Sequence, residues 1–152
     1  MAEMKKPVLF LMITLLFLAG CSDKSQLEGN AVIDTKQTAN IEKLEIYHFH
    51  GTNQCYSCKT VGAYAEETVN IYFSDELESG KIVFGHINAE LPENRDLVIK
   101  YGVKSASLLL GTYTQDGKFN AEENTNVWYK ISNKPDYVSY LKGIIEQKLA
   151  GN

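Results

Sequence analysis

The first apolar run of the chain differs from every later one. Residues 7–20 are apolar except for Thr14, and Lys5 and Lys6 stand just before them. A basic start, an apolar core of this length and small residues at its end are typical of a secretory signal peptide. A membrane-spanning helix needs about 20 apolar residues, more than this run supplies. We therefore predict that residues 1–20 are a signal peptide.

The next stretch has no regular hydrophobic pattern. Residues 21–41 are mainly polar and offer few apolar anchors. Segments of this composition cannot bury enough apolar surface to order themselves. We predict a flexible tether over residues 21–41, followed by a folded domain over residues 42–150.

From residue 44 the hydrophobic positions become regular, with periods of two or of three to four residues. Period two predicts strands, and the longer period predicts helices. The predicted strands are 44–50, 81–88 and 107–114, with a fourth after the Asp116-Gly117 turn, and the predicted helices are 55–77, 92–102 and 135–149. The segment 120–132 fits neither pattern clearly.

The order of these elements predicts an α/β fold. A strand, a helix and a second strand in succession imply a parallel crossover, and the late hairpin adds antiparallel strands. We expect a central mixed β-sheet flanked by helices. Trp128, Tyr129 and the tyrosines of the predicted helices are expected in the core and not in a ligand cage.

The charge balance excludes one class of partner. The formal net charge is -4, and it becomes -5 once residues 1–20 are removed. A nucleic-acid-binding surface needs a basic patch or stripe, and the pattern contains none. We expect no nucleic-acid partner.

Of the three cysteines, Cys21 stands apart at the end of the apolar run. The sequence Leu18-Ala19-Gly20-Cys21 resembles a bacterial lipobox. That resemblance implies an acylated Cys21 as the first mature residue and a multiply acylated, membrane-anchored lipoprotein on the extracytoplasmic side of a bacterial cell envelope. The alternative is an ordinary signal peptide, or an uncleaved anchor, that carries a cysteine at this point.

The remaining pair, Cys55 and Cys58, lies where a predicted strand gives way to a predicted helix. Free N–H groups and the helix dipole favour negative charge at a helix N-terminus, so a thiolate is stabilised there. Cys55 is then the exposed nucleophile that attacks a partner's disulfide, and Cys58 resolves the mixed disulfide. This chemistry needs no cofactor.

Two other interpretations of the pair remain open. His48 and His50 lie on one face of the preceding strand and could join Cys55 and Cys58 as ligands of a soft metal ion or arsenite. A second C-x-x-C pair is missing from the sequence, so no metal site is assigned. The pair could also be inert.

Several segments resemble thioredoxin in order and spacing. They are Ile46–Lys59, Val83–Ala89, Tyr101–Lys104 leading into Leu108–Leu110, and Asp116–Lys118. The run His48–Thr52 also resembles a group of thioredoxin-like lipoproteins labelled as nitroreductase subunits or linked to arsenic-resistance genes. The resemblance implies a thioredoxin-like fold over residues 42–150, with Cys55 as nucleophile and Cys58 as resolving thiol.

The chain departs from thioredoxin at three places around the cysteines. The first is the cysteine motif itself, where Gln54 replaces the usual tryptophan and Tyr-Ser replaces Gly-Pro between the cysteines. His48 falls where thioredoxins place a buried acid, so it is a candidate proton acceptor as well as a packing residue.

The third departure is Ala106, which falls nearest the position of the family's cis-proline. A loop without that proline must grip a substrate differently, and it leaves room beside the sulfurs for a bulky partner or a metal ion. We therefore count Ala106 and His50 among the residues that line the site.

Together these features predict a membrane-anchored thiol–disulfide oxidoreductase or electron-relay protein that acts on a protein thiol or disulfide. The competing hypothesis is a non-catalytic module that binds a soft metal or arsenite through the same cysteines.

Overall fold

The computed structural model describes residues 40–151. The predicted signal peptide, the predicted acylation site at Cys21 and the predicted tether up to residue 39 lie outside the described residues. Within residues 40–151, none of the helices combines the length and the apolar character needed to cross a membrane.

Four strands and four α-helices make up the described part of the chain. The strands are β1 (Ile41–His50), β2 (Ile82–Asn88), β3 (Ser107–Thr114) and β4 (Phe119–Glu123). The helices are α1 (Tyr56–Tyr72), α2 (Ser74–Glu78), α3 (Arg95–Tyr101) and α4 (Lys134–Leu149). Short 3-10 turns precede α3 at Pro92–Asn94 and α4 at Thr125–Tyr129.

The strands form one mixed sheet in the order β2-β1-β3-β4. β1 runs parallel to β2 and antiparallel to β3, and β3 pairs antiparallel with β4. The predicted α/β class with a central mixed sheet is therefore confirmed. Because β1 is an inner strand, it is paired on both sides as far as Phe49, and its last residue, His50, is paired with β2.

One face of the sheet carries α1 and α4. The even-numbered apolar residues of β1, such as Leu44 and Ile46, point to this face, as period two requires. They pack with residues spaced three and four apart on the two helices, which are Val61, Ala65 and Val69 on α1 and Tyr137, Leu141 and Ile145 on α4. The buried Tyr137 hydroxyl also donates to the carbonyl of Val61 at 2.8 Å, which ties α4 to α1.

The opposite face carries α3 and a smaller aromatic core. Phe49, Tyr101 and Leu109 are its buried members. The odd-numbered residues of β1 supply this face, so the two sides of one strand serve two cores.

The predicted helix over 55–77 is two helices in the structure. Phe73 interrupts it with non-helical backbone angles, φ -136° and ψ 33°. The Phe73 side chain is buried in the larger core, while its neighbour Tyr72 is 48 % exposed, so the expected burial of this helix tyrosine is wrong. The spacing of apolar residues does not reveal this break, because the same spacing continues across Phe73.

The unassigned segment 120–132 contains the end of β4 and a 3-10 turn. Val127 is the residue of this turn that enters the core. Trp128 packs partly buried against that core, whereas Tyr129 is exposed and its expected burial is wrong.

A buried carboxylate on β1 binds the aromatic face together. Glu45 is 6 % exposed and accepts hydrogen bonds from the hydroxyls of Tyr101 at 2.6 Å and Tyr113 at 2.7 Å. Lys43 Nζ lies 2.7 Å away and Lys100 Nζ 3.5 Å away. Burial alone raises the pKa of a carboxyl, but these donors outweigh it and lower the pKa of Glu45 to about 2.

We predict an acid-sensitive contribution of Glu45 to stability. Its folded pKa lies below the ordinary value, so the stabilisation is complete above about pH 4.5 and is lost as the pH falls toward 2. The free energy of unfolding of Glu45→Gln should be lower than that of the wild type by about 3 kcal/mol at pH 6, with the difference shrinking toward pH 2. Urea unfolding at several pH values measures it. Glu42→Gln, the same charge change at an exposed position of β1, is the control and should leave the acid dependence in place.

Candidate functional site

The two cysteines lie at the junction between β1 and α1. β1 ends at His50 and α1 begins at Tyr56, so Cys55 is the N-cap residue and Cys58 lies in the first turn. Cys55 is exposed, Cys58 is buried, and both are free thiols. The first sulfur is thus open to a visiting molecule and the second is covered.

Contacts from the last residue of β2 and from the loop after it hold the turn between β1 and Cys55. The backbone N–H of Thr52 donates to the Glu90 carboxylate at 3.0 Å, and Asn88 Nδ2 donates to the Thr52 hydroxyl at 3.1 Å. A Cβ on Gly51 would come within 2.7 Å of the Glu90 carboxylate, so the turn passes close to that side chain. These contacts fix the approach of the chain to Cys55.

Cys58 makes its polar contact with a histidine of the sheet. Its Sγ lies 3.4 Å from Nε2 of His48, and the Cys58 residue is 3 % exposed. Burial, and then the nearby Cys55, raise the pKa of the Cys58 thiol. Cys58 is therefore a protonated thiol at neutral pH that needs a base before it can react.

His48 is the neutral acceptor that lies against the Cys58 thiol. It is 1 % exposed, and burial, followed by the charges of His86 and His50, lowers its pKa to about 4. It is neutral at physiological pH, so one of its ring nitrogens carries a lone pair. The sequence places His48 in this role, and the structure brings it to Cys58.

His86 is a member of the site that the sequence analysis missed. It lies beside His48 on the adjacent strand β2, and the two Nδ1 atoms are 3.0 Å apart. Its other nitrogen, Nε2, lies 3.4 Å from Oε2 of Glu66 on α1. The period-two pattern of residues 82, 84 and 86 puts His86 on the same face of β2 as Ile82 and Phe84. The pairing of His86 with His48 depends on the register of β1 and β2, which only the structure gives.

Gly62 makes room for the two rings. A Cβ at this buried helical position would lie 2.5 Å from Nδ1 of His48 and 2.9 Å from Cε1 of His86. Any larger residue would push the rings apart or lift α1 from the sheet. The close approach of helix and histidines therefore depends on this glycine.

His50 and Ala106 share a cavity that the two cysteines do not line. His50 donates from Nδ1 to the carbonyl of Gly51 at 2.9 Å, and its ring packs beside that of His48. His50 and Ala106 line a surface cavity of about 310 Å³, whose other lining residues include Val103 and Glu90 but neither cysteine. The structure thus places room beside Ala106, on the side of His50.

The alternative metal site is not assembled in this arrangement. Within residues 40–151, no group of three or more histidine, cysteine, aspartate or glutamate side chains is placed to hold a metal ion. Both nitrogens of His48 already face other side chains.

Comparison with known proteins gives no further assignment. No protein-family model matches the chain. No curated protein matches it significantly either. The chemistry of the site has to be argued from its own geometry.

That geometry combines one exposed thiol, one buried thiol and a neutral base in contact with the buried thiol. An exposed thiol at a helix N-terminus can attack an electrophilic sulfur. A buried thiol beside a base can be deprotonated at the moment it is needed. The arrangement suits sequential attack by two thiols.

We predict that Gly62→Ala destabilises the protein although alanine is the better helix former. Alanine gains up to about 1 kcal/mol from helix propensity, but forcing a methyl group into this packing costs about 1–3 kcal/mol. Chemical unfolding measures the net loss, and the histidine ring resonances should shift as the rings separate.

Gly143→Ala in α4 is the matched control. A Cβ there meets nothing within 4 Å, so the same substitution should raise the free energy of unfolding by up to about 1 kcal/mol. If both substitutions stabilise the protein, the close approach of Gly62 to the histidines is not real.

Proposed function

We propose that this chain is a thioredoxin-like thiol–disulfide oxidoreductase or electron-relay protein. Its nucleophile is Cys55, its resolving thiol is Cys58, and its partner is a protein thiol or disulfide. The observation that carries the proposal is the pairing of an exposed Cys55 with a buried Cys58 hydrogen-bonded to His48 at the start of one helix.

The first step is attack by Cys55 on a partner disulfide. The Cys55 thiolate forms a bond to one partner sulfur, and the other partner sulfur leaves as a thiolate. The dipole of the 17-residue helix α1 favours negative charge at its first residues, where Cys55 lies. The exposed ring of Tyr56, 79 % accessible, offers an apolar surface to the partner directly beside the nucleophile.

The second step is attack by Cys58 on the mixed disulfide. His48 Nε2 takes the proton of Cys58, the Cys58 thiolate bonds to the Cys55 sulfur, and the second partner sulfur leaves as a thiolate. The protein becomes an internal disulfide and the partner becomes a dithiol, so two electrons pass to the partner. The reverse sequence oxidises a partner dithiol.

The arrangement of the fold supports a thioredoxin-like assignment. A mixed four-stranded sheet carries helices on both faces, and the cysteine pair lies between the end of β1 and the start of α1.

We further propose that the domain is held on the extracytoplasmic side of a bacterial membrane by a lipid on Cys21. The lipobox-like Leu18-Ala19-Gly20-Cys21 and the apolar run before it support this placement. In an oxidising envelope, a closely spaced cysteine pair is suited to redox exchange.

Equilibration with glutathione tests the proposal. The reduced protein should undergo one reversible two-electron oxidation at a defined potential. Mass spectrometry of the peptide that contains Cys55 and Cys58 measures the oxidised fraction. Cys55→Ser should abolish oxidation, whereas Cys58→Ser should accumulate a mixed disulfide on Cys55 because no thiol is left to resolve it.

A titration with zinc or arsenite on the reduced full chain provides the opposing outcome. Stoichiometric uptake without a reversible redox couple would replace the oxidoreductase with a thiol-based binding module. A mixed disulfide that forms on Cys58 instead of Cys55 would reverse the assigned roles.

A further inference from the structure

The geometry points to a proton path from the Cys58 sulfur to the protein surface through His48, His86 and Glu66. This inference rests on the proposed function, because Cys58 must lose its proton in the second step and regain it when the pair is reduced again. We propose that His86 and Glu66, on elements separate from β1, complete this path and set the rate of the second step.

A proton that leaves Cys58 at the buried end of the path needs a route to solvent. Cys58 and His48 are 3 % and 1 % exposed, so neither passes a proton readily to bulk water. A proton that stopped on His48 would leave a buried imidazolium, which the surroundings of His48 disfavour. The next polar group in contact is Nδ1 of His86 at 3.0 Å.

The outer end of the path reaches solvent. The His86 and Glu66 side chains are 38 % and 52 % exposed, and they approach each other to 3.4 Å. Glu66 lies one helical turn after Gly62 on α1, so the two residues share one face of the helix. Gly62 leaves space for the rings of His48 and His86, and Glu66 contacts the ring of His86. The four groups form an uninterrupted series from the interior to water.

The acceptor-only character of a carboxylate sets the direction of the hydrogen bonds. Glu66 can only accept, so His86 donates to it from Nε2. In a neutral His86, Nδ1 is then an acceptor, and His48 must donate to it from its own Nδ1. His48 Nε2 is left as the acceptor for the thiol of Cys58.

The same contacts also fit the state after transfer. The Cys58 proton moves to His48 Nε2, the His48 Nδ1 proton moves to His86 Nδ1, and His86 becomes an imidazolium beside the Glu66 carboxylate. His86 then releases its Nε2 proton to Glu66 or to water. One proton leaves Cys58 and one reaches the surface, and no heavy atom has to move.

Reduction of the disulfide returns the path to its starting state. When a reductant opens the Cys55–Cys58 bond, Cys58 is released as a thiolate. A proton enters at His86 Nε2, and the proton on His86 Nδ1 returns to His48 Nδ1. His48 then gives its Nε2 proton to the Cys58 thiolate. The path therefore resets once in each redox cycle.

Few other titratable groups face this series. From α1 the neighbours are Cys55 and Glu66, from β1 the neighbour is His50, and from the loop after β2 Glu90 lies near His50. On the other side of β1, β3 places the apolar Leu108 opposite His48. His50 packs beside His48 but donates its Nδ1 proton to a carbonyl and makes no hydrogen bond in the series, so it is a suitable comparison for His86.

Single-turnover oxidation of the full reduced chain by dithiobis(nitrobenzoic acid) separates the two chemical steps. Attack by Cys55 releases one coloured thiolate, and attack by Cys58 on the mixed disulfide releases a second. In His86→Gln the first release should keep its rate, and the second should slow about 10- to 100-fold at pH 7. Glutamine preserves hydrogen bonding in the series but cannot take up a proton.

The pH profile distinguishes a proton path from a packing role. In His86→Gln the second step should become steeply dependent on pH and recover toward the wild-type rate in alkaline solution, where hydroxide reaches the site. Glu66→Gln should show a smaller slowing with the same trend, because water can replace the exposed carboxylate as acceptor. His50→Gln, the matched histidine substitution, should slow the second step less than His86→Gln does.

A second step that is equally fast in His86→Gln and in the wild type across the pH range would overturn the path while leaving the oxidoreductase intact. Equal slowing in His86→Gln and His50→Gln would also overturn it, because the loss would follow from removing any nearby histidine. Absence of the first release in the wild type would instead refute the proposed function.

Discussion

The hydrogen bond between Cys58 and His48 joins two side chains that are both closed off from water. A buried polar group without a partner costs about 1–3 kcal/mol, so each of these two depends on the other. The second ring nitrogen of His48 also needs a hydrogen-bond partner, and that partner is Nδ1 of His86. A helix start, an inner strand and an outer strand are therefore tied together by one polar series.

Several features of the fold follow from that requirement. β1 has to be an inner strand, since only a strand held on both sides presents His48 at a fixed height under α1. Gly62 lets the helix come close enough, and the bond from Tyr137 to the Val61 carbonyl holds α1 at the neighbouring residue. On the reverse face, the ion-pair and tyrosine contacts of Glu45 stiffen the same strand. A site on rigid elements can keep its distances through a redox cycle.

Much of this could be predicted from sequence because it depends on local pattern. The strand before the cysteines and the helix after them follow from hydrophobic period, and the exposure of Cys55 follows from its place at the start of that helix. His48 could be identified from its place in that strand. The break at Phe73 could not, since a buried aromatic residue fits either one long helix or two short ones. The sequence did not predict the positions of three further residues around the site, His86, Glu66 and Gly62. These positions depend on the register of a parallel strand pair and on how closely a helix approaches a sheet.

The protonation state of His48 is the sharpest test of the polar series. Nitrogen-15 NMR of the histidine side chains in the reduced protein reports which ring nitrogen carries the proton. We predict that His48 is neutral with the proton on Nδ1 and stays neutral down to about pH 5, with its Nε2 resonance changing in Cys58→Ala. A His48 that titrates like a water-exposed histidine, or whose Nε2 resonance is unaffected by the loss of the Cys58 sulfur, would contradict it.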